Sequence, residues 1–151
     1  MELLELAKAR DVQHLAITDH DTVGAYALPL HASAASAGIT LVTGCEISCQ
    51  WQRRSIHVVG LNLDLASSDF GRAMTIQAQA REDRAEKITE VLQRLGFDVA
   101  LPQVQALAGL GVVGRPHFAQ HLVATGQIPS MTMAFKRVLG SGKPGDIKAN
   151  W

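Results

Sequence analysis

Residues 15–21 read Leu15-Ala16-Ile17-Thr18-Asp19-His20-Asp21, a short apolar run that ends directly in an acid–imidazole–acid cluster. The apolar run is typical of a buried strand. A strand that ends in such a cluster brings oxygen and nitrogen donors to one point at the edge of a sheet, and this donor set suits Mn²⁺, Fe²⁺ or Zn²⁺ better than Ca²⁺. The sequence therefore predicts half of a metal site at residues 19–21.

Helical and strand patterns alternate around this cluster. Residues 3–10 are predicted to be helical, residues 14–18 to form the buried strand, and residues 23–37 to form an alanine-rich helix that ends at Gly38. A second buried strand is predicted at residues 39–43. This alternation favours an α/β fold with parallel strands, in which ligands collect at the carboxyl ends of the strands.

The segment 46–60 reads as two strands around a polar tip at Trp51–Gln52. Symmetric pairing about that tip sets Glu46 directly opposite His57, with Cβ atoms roughly 5 Å apart. Glu46 also lies one crossover after His20, so the two side chains are expected to converge at one sheet edge. For Glu46 and His57 taken alone, a mutual hydrogen bond without a metal is the simpler interpretation.

Helices dominate the rest of the chain. A long amphipathic helix is predicted at residues 74–95 and is expected to end at Gly96. Shorter helices are predicted at residues 102–109, 116–124 and 131–139. An all-helical stretch of this length within an α/β chain is typical of an inserted subdomain or lid.

One helix in this stretch begins with a candidate anion site, Gly114-Arg115-Pro116-His117-Phe118. Proline is favoured in the first helical turn, so Arg115 and His117 are expected at a helix N-terminus, where free amides and a guanidinium attract phosphate. A surface arginine with no ligand is the common alternative, and it is favoured when this motif is taken alone. The later Gly142-Lys143-Pro144-Gly145 is a flexible basic loop that serves as a linker or contacts substrate.

Composition limits the possible functions. The chain has 151 residues, 47% of them hydrophobic, and its 14 Lys and Arg residues equal its 14 Asp and Glu residues. A real core is therefore expected, without the bulk positive charge that drives non-specific nucleic-acid binding. Neither a signal-peptide pattern nor a membrane span is evident. Cys45 and Cys49 do not form a redox motif, so we expect a cytoplasmic protein.

Five motifs together resemble the PHP-domain (polymerase and histidinol phosphatase) metal-dependent phosphoesterases. The similarity is greatest to the subgroup of nucleoside 3′,5′-bisphosphate phosphatases and 5′–3′ exoribonucleases. The motifs occur in the family's order and span essentially the whole chain. They are Leu15–Thr22, Val42–Ser48, Ile56–Asp64, Arg115–Leu122 and Gly142–Gly145.

The resemblance implies a role for each matching residue. His20, Glu46 and His57 would be metal ligands, with Glu46 bridging two ions. Asp19 would orient the cluster, so that Asp19, His20 and Glu46 form the catalytic set. The resemblance further implies that Arg115 contacts substrate phosphate, assisted by His117.

The resemblance also implies an architecture, a distorted β/α barrel with an inserted helical subdomain. Residues 1–63 would form part of the metal-binding core. Residues 64–140 would form the helical, substrate-binding lid, and residues 141–151 would return toward the core.

The implied activity is hydrolysis of phosphate monoesters by a metal-activated water, without a protein nucleophile. The substrates would be 3′,5′-bisphosphate nucleotides or short 5′-phosphorylated RNA, and the cofactor a cluster of divalent ions, with Mn²⁺ favoured over Fe²⁺ or Zn²⁺. Two alternatives remain open on the sequence. One is a non-catalytic module that binds a nucleotide or phosphate, and the other is a structural Asp/His/Glu set that holds one zinc ion or none.

The chain also departs from the family pattern. The family begins with a His-x-His strand with a nearby aspartate and ends with His-Pro and Asp-x-His motifs, which this sequence lacks. We therefore expect an internal part of such an enzyme, inactive alone or able to self-associate through exposed sheet edges. Asp146 is a further departure, because close relatives carry an aromatic residue after Lys-Pro-Gly.

Overall fold

The computed structural model describes residues 2–27, 29–52, 54–109 and 111–149. The chain divides into two compact units, Met1–Gln77 and Ala78–Trp151. The elements of the first unit are helix α1 (Glu2–Lys8), strand β1 (His14–Ile17), a 3₁₀ helix (Gly24–Ala27), helix α2 (Leu30–Ser36), strand β2 (Thr40–Trp51) and strand β3 (Arg54–Leu61).

The sheet of the first unit has the order β1-β2-β3. Strand β1 pairs in parallel with the start of β2, and β3 pairs with the rest of β2 in an antiparallel hairpin. The two separate apolar segments predicted at residues 39–43 and from residue 46 are therefore one continuous strand of 12 residues. The α/β class is confirmed as a mixed fold with a small parallel and antiparallel sheet, rather than a purely parallel one.

The predicted helix over residues 23–37 is wrong in its first half. The chain forms a short 3₁₀ helix at Gly24–Ala27, and α2 begins only at Leu30, after Pro29. Proline lacks an amide hydrogen and disfavours helical geometry in the residue before it, so a continuous helix cannot run through this position. Leu28 lies outside the described residues. Gly38, with φ +75°, follows α2 as predicted.

The second unit is helical. Its elements are the larger part of α3 (Ser68–Arg94), α4 (Leu101–Ala108), α5 (Arg115–Ala124), α6 (Met131–Ala134) and a π-helical turn (Phe135–Leu139). Helix α3 begins six residues before the predicted start at residue 74. Its end agrees with the sequence, since Gly96 follows with φ +85°. The fully buried side chains of this unit include Ile88, Leu92, Val104, Phe118, Leu122 and Leu139.

The first unit has a smaller core. It is formed by Leu4, Ala7, Ala34 and Ile39, between α1, α2 and the sheet. Strand β3 keeps large apolar side chains in solvent on both of its faces, because consecutive residues such as Val58 and Val59 point to opposite sides and both are about half exposed. Among the described residues, no helix is both long and apolar enough to cross a membrane.

Candidate metal centre

The parallel pairing of β1 with β2 brings His20 beside Glu46. Beyond the end of β1 the chain rejoins β2 through a bridge between these two residues. The Glu46 amide donates to the Asp19 carbonyl at 3.1 Å, and the Asp21 amide donates to the Glu46 carbonyl at 2.9 Å. The two side chains are thus held on neighbouring strands, as predicted, and His20 Nε2 lies 3.7 Å from Glu46 Oε1.

His57 reaches the same point through a register that differs from the predicted one. Ser48 lies opposite His57, and Val59 lies opposite Glu46, so the predicted pairing of Glu46 with His57 is wrong by two residues. Trp51 pairs with Arg54, so the centre of the hairpin turn lies one position later than the predicted tip at Trp51–Gln52. Gln52 has φ +46°. A two-residue shift keeps both side chains on the same face of the sheet. His57 is therefore a diagonal neighbour of Glu46, and its Nδ1 lies 3.7 Å from Glu46 Oε1.

His20, Glu46 and His57 form what we call the ligand cluster. One ligand atom from each lies within 4.8 Å of the other two. The imidazole rings of His20 and His57 meet edge to face with centroids 4.8 Å apart. The side chains of His20, His57 and Glu46 are 50%, 45% and 28% exposed, so the cluster is open to solvent.

The spacing in the ligand cluster fits a shared ion better than a direct hydrogen bond. Both nitrogen–oxygen distances are 3.7 Å, beyond hydrogen-bond range. Two atoms that each bind one ion at about 2.1 Å lie about 3 to 3.5 Å apart, so a small inward movement would complete coordination. Two imidazoles and a carboxylate are a donor set used by divalent transition metals. The residues present therefore fit a divalent metal.

Asp19 and Cys45 lie beside the ligand cluster through backbone contacts. Asp19 is exposed, and its carbonyl oxygen accepts hydrogen bonds from the Glu46 amide and from the Cys45 thiol at 3.5 Å. Burial raises the pKa of the Cys45 thiol, which disfavours a thiolate nucleophile here. The side-chain role predicted for Asp19 stays a prediction.

Asp21 is the carboxylate that the fold buries next to the cluster. Its side chain accepts from the Ser48 amide at 2.6 Å and from the Ser48 hydroxyl at 2.7 Å. The same hydroxyl lies 3.4 Å from His57 Nδ1. A chain of polar contacts thus runs from Asp21 through Ser48 to His57 Nδ1, the ring nitrogen that also faces Glu46. Ser48 was missed by sequence reasoning because the two-residue register shift hid its position opposite His57.

Tyr26 is a second residue that sequence reasoning missed. Its hydroxyl accepts from the amides of Ile17 and Gly44 at 3.0 and 2.9 Å. The same oxygen lies 2.8 Å from the Ile17 carbonyl and 2.9 Å from the Val42 carbonyl, either of which accepts its single hydrogen. The side chain therefore ties β1 to β2 immediately before the cluster. Sequence patterns do not reveal this tie, because they place Tyr26 within a regular helix.

Gly44 allows the two strands to approach closely at the same place. A Cβ atom on this residue would lie 2.9 Å from Thr18 Cγ2 and 3.3 Å from Ala16 Cβ. A side chain at position 44 would therefore push β1 and β2 apart.

Arg115 and His117 begin α5 in the second unit, as predicted. Arg115 Nη1 donates to the Asp146 carboxylate at 2.6 Å and to the Leu139 carbonyl at 3.0 Å. His117 Nδ1 accepts from the Gly114 amide at 3.0 Å, which satisfies a free donor at the helix start. His117 thus has a capping contact of its own. Its predicted role towards substrate stays a prediction.

The basic loop after Gly140 is folded around Asp146. The Asp146 carboxylate accepts from the Gly142 amide at 2.9 Å and from Lys148 Nζ at 2.9 and 3.0 Å. The Gly142 amide first, and then Lys148, hold the pKa of Asp146 below its ordinary value. The carboxylate is therefore ionised at neutral pH.

The sequence of this chain is similar to those of bacterial exoribonucleases and of a nucleotide phosphatase. The chain is 40% identical to a 5′–3′ exoribonuclease of Haemophilus influenzae over 150 residues, which is 99% of this chain and 54% of that protein. It is 38% identical to a 5′–3′ exoribonuclease of Escherichia coli and 34% identical to a 3′,5′-nucleoside bisphosphate phosphatase of Chromobacterium violaceum, covering 51% and 53% of those proteins. The chain spans about half the length of these relatives. No family model matches it.

Two solved structures share the fold. An amidohydrolase from Chromobacterium violaceum, solved with sulfate and without metal, matches 98% of this chain and 52% of its own with a TM-score of 0.82 and 32% identity. A protein from Bifidobacterium adolescentis, assigned as a metal-dependent phosphoesterase, matches 99% of this chain and 52% of its own with a TM-score of 0.84 and 25% identity. The resemblance found in the sequence is thereby confirmed, and the chain is a homologue of these nucleotide phosphatases and exoribonucleases over about half of their length.

Proposed function

We propose that this chain carries metal-binding and phosphate-binding parts of a phosphoesterase that hydrolyses phosphate monoesters of nucleotides. The ligand cluster is the observation that carries this proposal. It joins three potential ligands from two strands and a bridge position, and it lies in a fold shared with a protein assigned as a metal-dependent phosphoesterase. Mn²⁺ is the proposed ion, because a mixed nitrogen and oxygen donor set accepts it without thiolate ligands.

His20, Glu46 and His57 would hold a divalent ion, which would lower the pKa of a bound water and polarise a phosphoryl oxygen. His20 and His57 provide neutral nitrogen donors, and Glu46 provides negative charge. One oxygen of Glu46 lies equally far from both imidazoles, at 3.7 Å, which is the position a shared ligand needs. The contact of Ser48 with His57 supports the ring that it faces. No serine or cysteine nucleophile is required.

The proposed substrates are nucleoside 3′,5′-bisphosphates or short 5′-phosphorylated RNA. Support comes from the names of the relatives, a nucleoside bisphosphate phosphatase and 5′–3′ exoribonucleases. Arg115 is proposed to hold a substrate phosphate, which gives the helical residues 64–140 a substrate-binding role. A barrel-like architecture is proposed for the metal-binding core. A guanidinium at a helix start suits a phosphate group.

Phosphate release from a nucleoside 3′,5′-bisphosphate in the presence of Mn²⁺ tests the proposal. We expect release by the purified chain and its loss in His20→Ala, measured by phosphate detection over time. His14→Ala is a matched control, since His14 is also an exposed histidine of the first unit but is not in the ligand cluster. Equal release by the His20→Ala variant would contradict the proposal. Nucleotide binding without release would instead favour the non-catalytic binding module.

We also propose that exposed β3 supports self-association. Its side chains Ile56, Val58, Val59 and Leu61 are 40 to 57% exposed, and it is an edge strand in the sheet of the first unit. Sedimentation is expected to show oligomers that grow with concentration, and Val59→Lys is expected to reduce them. Ile76→Lys, which changes an exposed apolar residue on α3, is the control. Concentration-independent monomers would disprove self-association.

A further inference from the structure

Three cations of the second unit meet at one short segment, residues 146–148, to which one of them, Lys148, belongs. Arg115 and Lys148 bind the Asp146 carboxylate, and Arg84 Nε donates to the Ile147 carbonyl at 2.8 Å. The segment offers these cations a single carboxylate. Positive charge therefore exceeds negative charge among the groups that meet there, which is the condition for binding an anion.

The hydrogen bonds of Arg115 leave one edge of its guanidinium for such an anion. Nη1 carries two hydrogens, and both have acceptors, the Asp146 carboxylate and the Leu139 carbonyl. Nε and Nη2 form the other edge, to which the described residues offer no hydrogen-bond acceptor. Two parallel N–H groups on one edge match two oxygens of a phosphate. The side chain is 28% exposed, so this edge is within reach of a ligand.

Asp146 holds Arg115 in this orientation. Its side chain is only 8% exposed, and it accepts from Arg115, the Gly142 amide and Lys148. Because its oxygens are already engaged, the carboxylate is a fixed part of the fold and not a mobile occupant of the anion site.

Arg84 brings a second guanidinium to the same place. Its Nε is fixed on Ile147, and its two terminal nitrogens have no acceptor among the described residues. Burial, and then the positive charges of Arg115 and Arg81, lower the pKa of Arg84. The last two effects are repulsion between like charges.

We propose that Arg84 and Arg115 together hold one phosphate group of the substrate, and that Asp146 is the positioning residue that leaves the Nε–Nη2 edge of Arg115 facing it. The assignment to a substrate phosphate rests on the proposed phosphoesterase function. The two arginines contact residues 146 and 147 of one segment, and the charge of Arg115 acts on Arg84, which is why we place a single phosphate between them. This extends the anion site beyond the helix start that the sequence indicated.

The test is calorimetric titration of the full chain with a nucleoside 3′,5′-bisphosphate in the presence of a chelator. Arg84→Gln keeps a donor for the Ile147 carbonyl but loses the charge, and we expect it to weaken binding about tenfold, as for loss of a charged hydrogen bond. Arg94→Gln is the matched control. Arg94 lies on the same helix, and its Nε also donates to a backbone carbonyl, that of Glu90. Unchanged affinity in Arg84→Gln would overturn the proposal.

Asp146→Asn provides a second, independent test, because the two possible roles of Asp146 predict opposite changes in bisphosphate affinity. A positioning role predicts weaker bisphosphate binding by the folded variant, whereas a carboxylate that competes with substrate predicts tighter binding. Unchanged or tighter binding would overturn the positioning role. Because the chelator removes any metal, these affinities do not depend on the ligand cluster. If the chain releases no phosphate but the Arg84 and Asp146 variants still bind the bisphosphate more weakly, the result therefore counts against the hydrolase proposal alone.

Discussion

Glu46→Gln is expected to reduce bound Mn²⁺ per chain and to lower phosphate release by at least about a hundredfold. Loss of an outer partner of a metal ligand already costs about 10- to 100-fold, and Glu46 is at the centre of the cluster. Its Oε1 is the only carboxylate oxygen among the described residues that lies within 3.7 Å of both His20 and His57. Glutamine keeps the size of the side chain but removes the negative charge that balances a cation.

Metal content after dialysis against Mn²⁺, followed by elemental analysis, measures the first effect. Glu90→Gln is a suitable control, since Glu90 is an exposed acid on α3 and has no part in the cluster. If Glu46→Gln binds as much metal as the unchanged chain, the cluster is not the metal site. If the metal content per chain is unchanged but phosphate release is lost, Glu46 acts in catalysis and not in metal binding.

Asp21→Ala is expected to lower the free energy of unfolding by about 2 to 5 kcal/mol. The substitution removes the carboxylate that accepts from the Ser48 amide and hydroxyl, and loss of an acceptor costs about 1 to 3 kcal/mol for each buried donor. Ser48 is fully buried and Asp21 is 3% exposed, so water cannot easily replace the lost contacts. The affinity for Mn²⁺ is expected to fall as well, because Ser48 no longer has a fixed position beside the His57 ring.

Urea unfolding in the presence of a chelator measures the stability change without any contribution from bound metal. Asp11→Ala is a close control. Asp11 has φ +56° and Asp21 has φ +53°, so both variants place alanine in the left-handed region, but Asp11 is exposed. The difference between the two variants therefore reports the buried contacts of Asp21. Equal destabilisation would mean that the Asp21–Ser48 contact contributes little.

Much of the candidate site follows from local sequence patterns. The apolar run before Asp19 predicted β1, and the single crossover between His20 and Glu46 predicted their convergence, because parallel strands separated by one helix become neighbours. Glu46 and His57 were placed on one face although their register was wrong by two residues. The alternation of side chains along a strand has a period of two, so an error of two leaves the face unchanged.

Other parts could not be read from the sequence. The sequence did not reveal that Asp21 is buried beside the cluster, where the left-handed residue after β1 places its side chain against Ser48. The role predicted for Asp19 is a separate prediction and stays one. A continuous helix through Pro29 was predicted because the segment is rich in alanine, which favours helices. Proline has no amide hydrogen to donate within a helix, so α2 begins only after it.

The sequence by itself determined the order of strands and helices and the helix start at Arg115, because each depends on residue types within one short segment. The three candidate metal ligands came from the resemblance of its motifs to a known family. Tertiary structure alone decided which polar groups meet across long stretches of chain. Ser48 lies 27 residues from Asp21, and Asp146 lies 31 residues from Arg115. Such contacts depend on strand register and on the packing of helices. Both are set cooperatively by burial and hydrogen bonding throughout a unit, and not by any short segment of sequence.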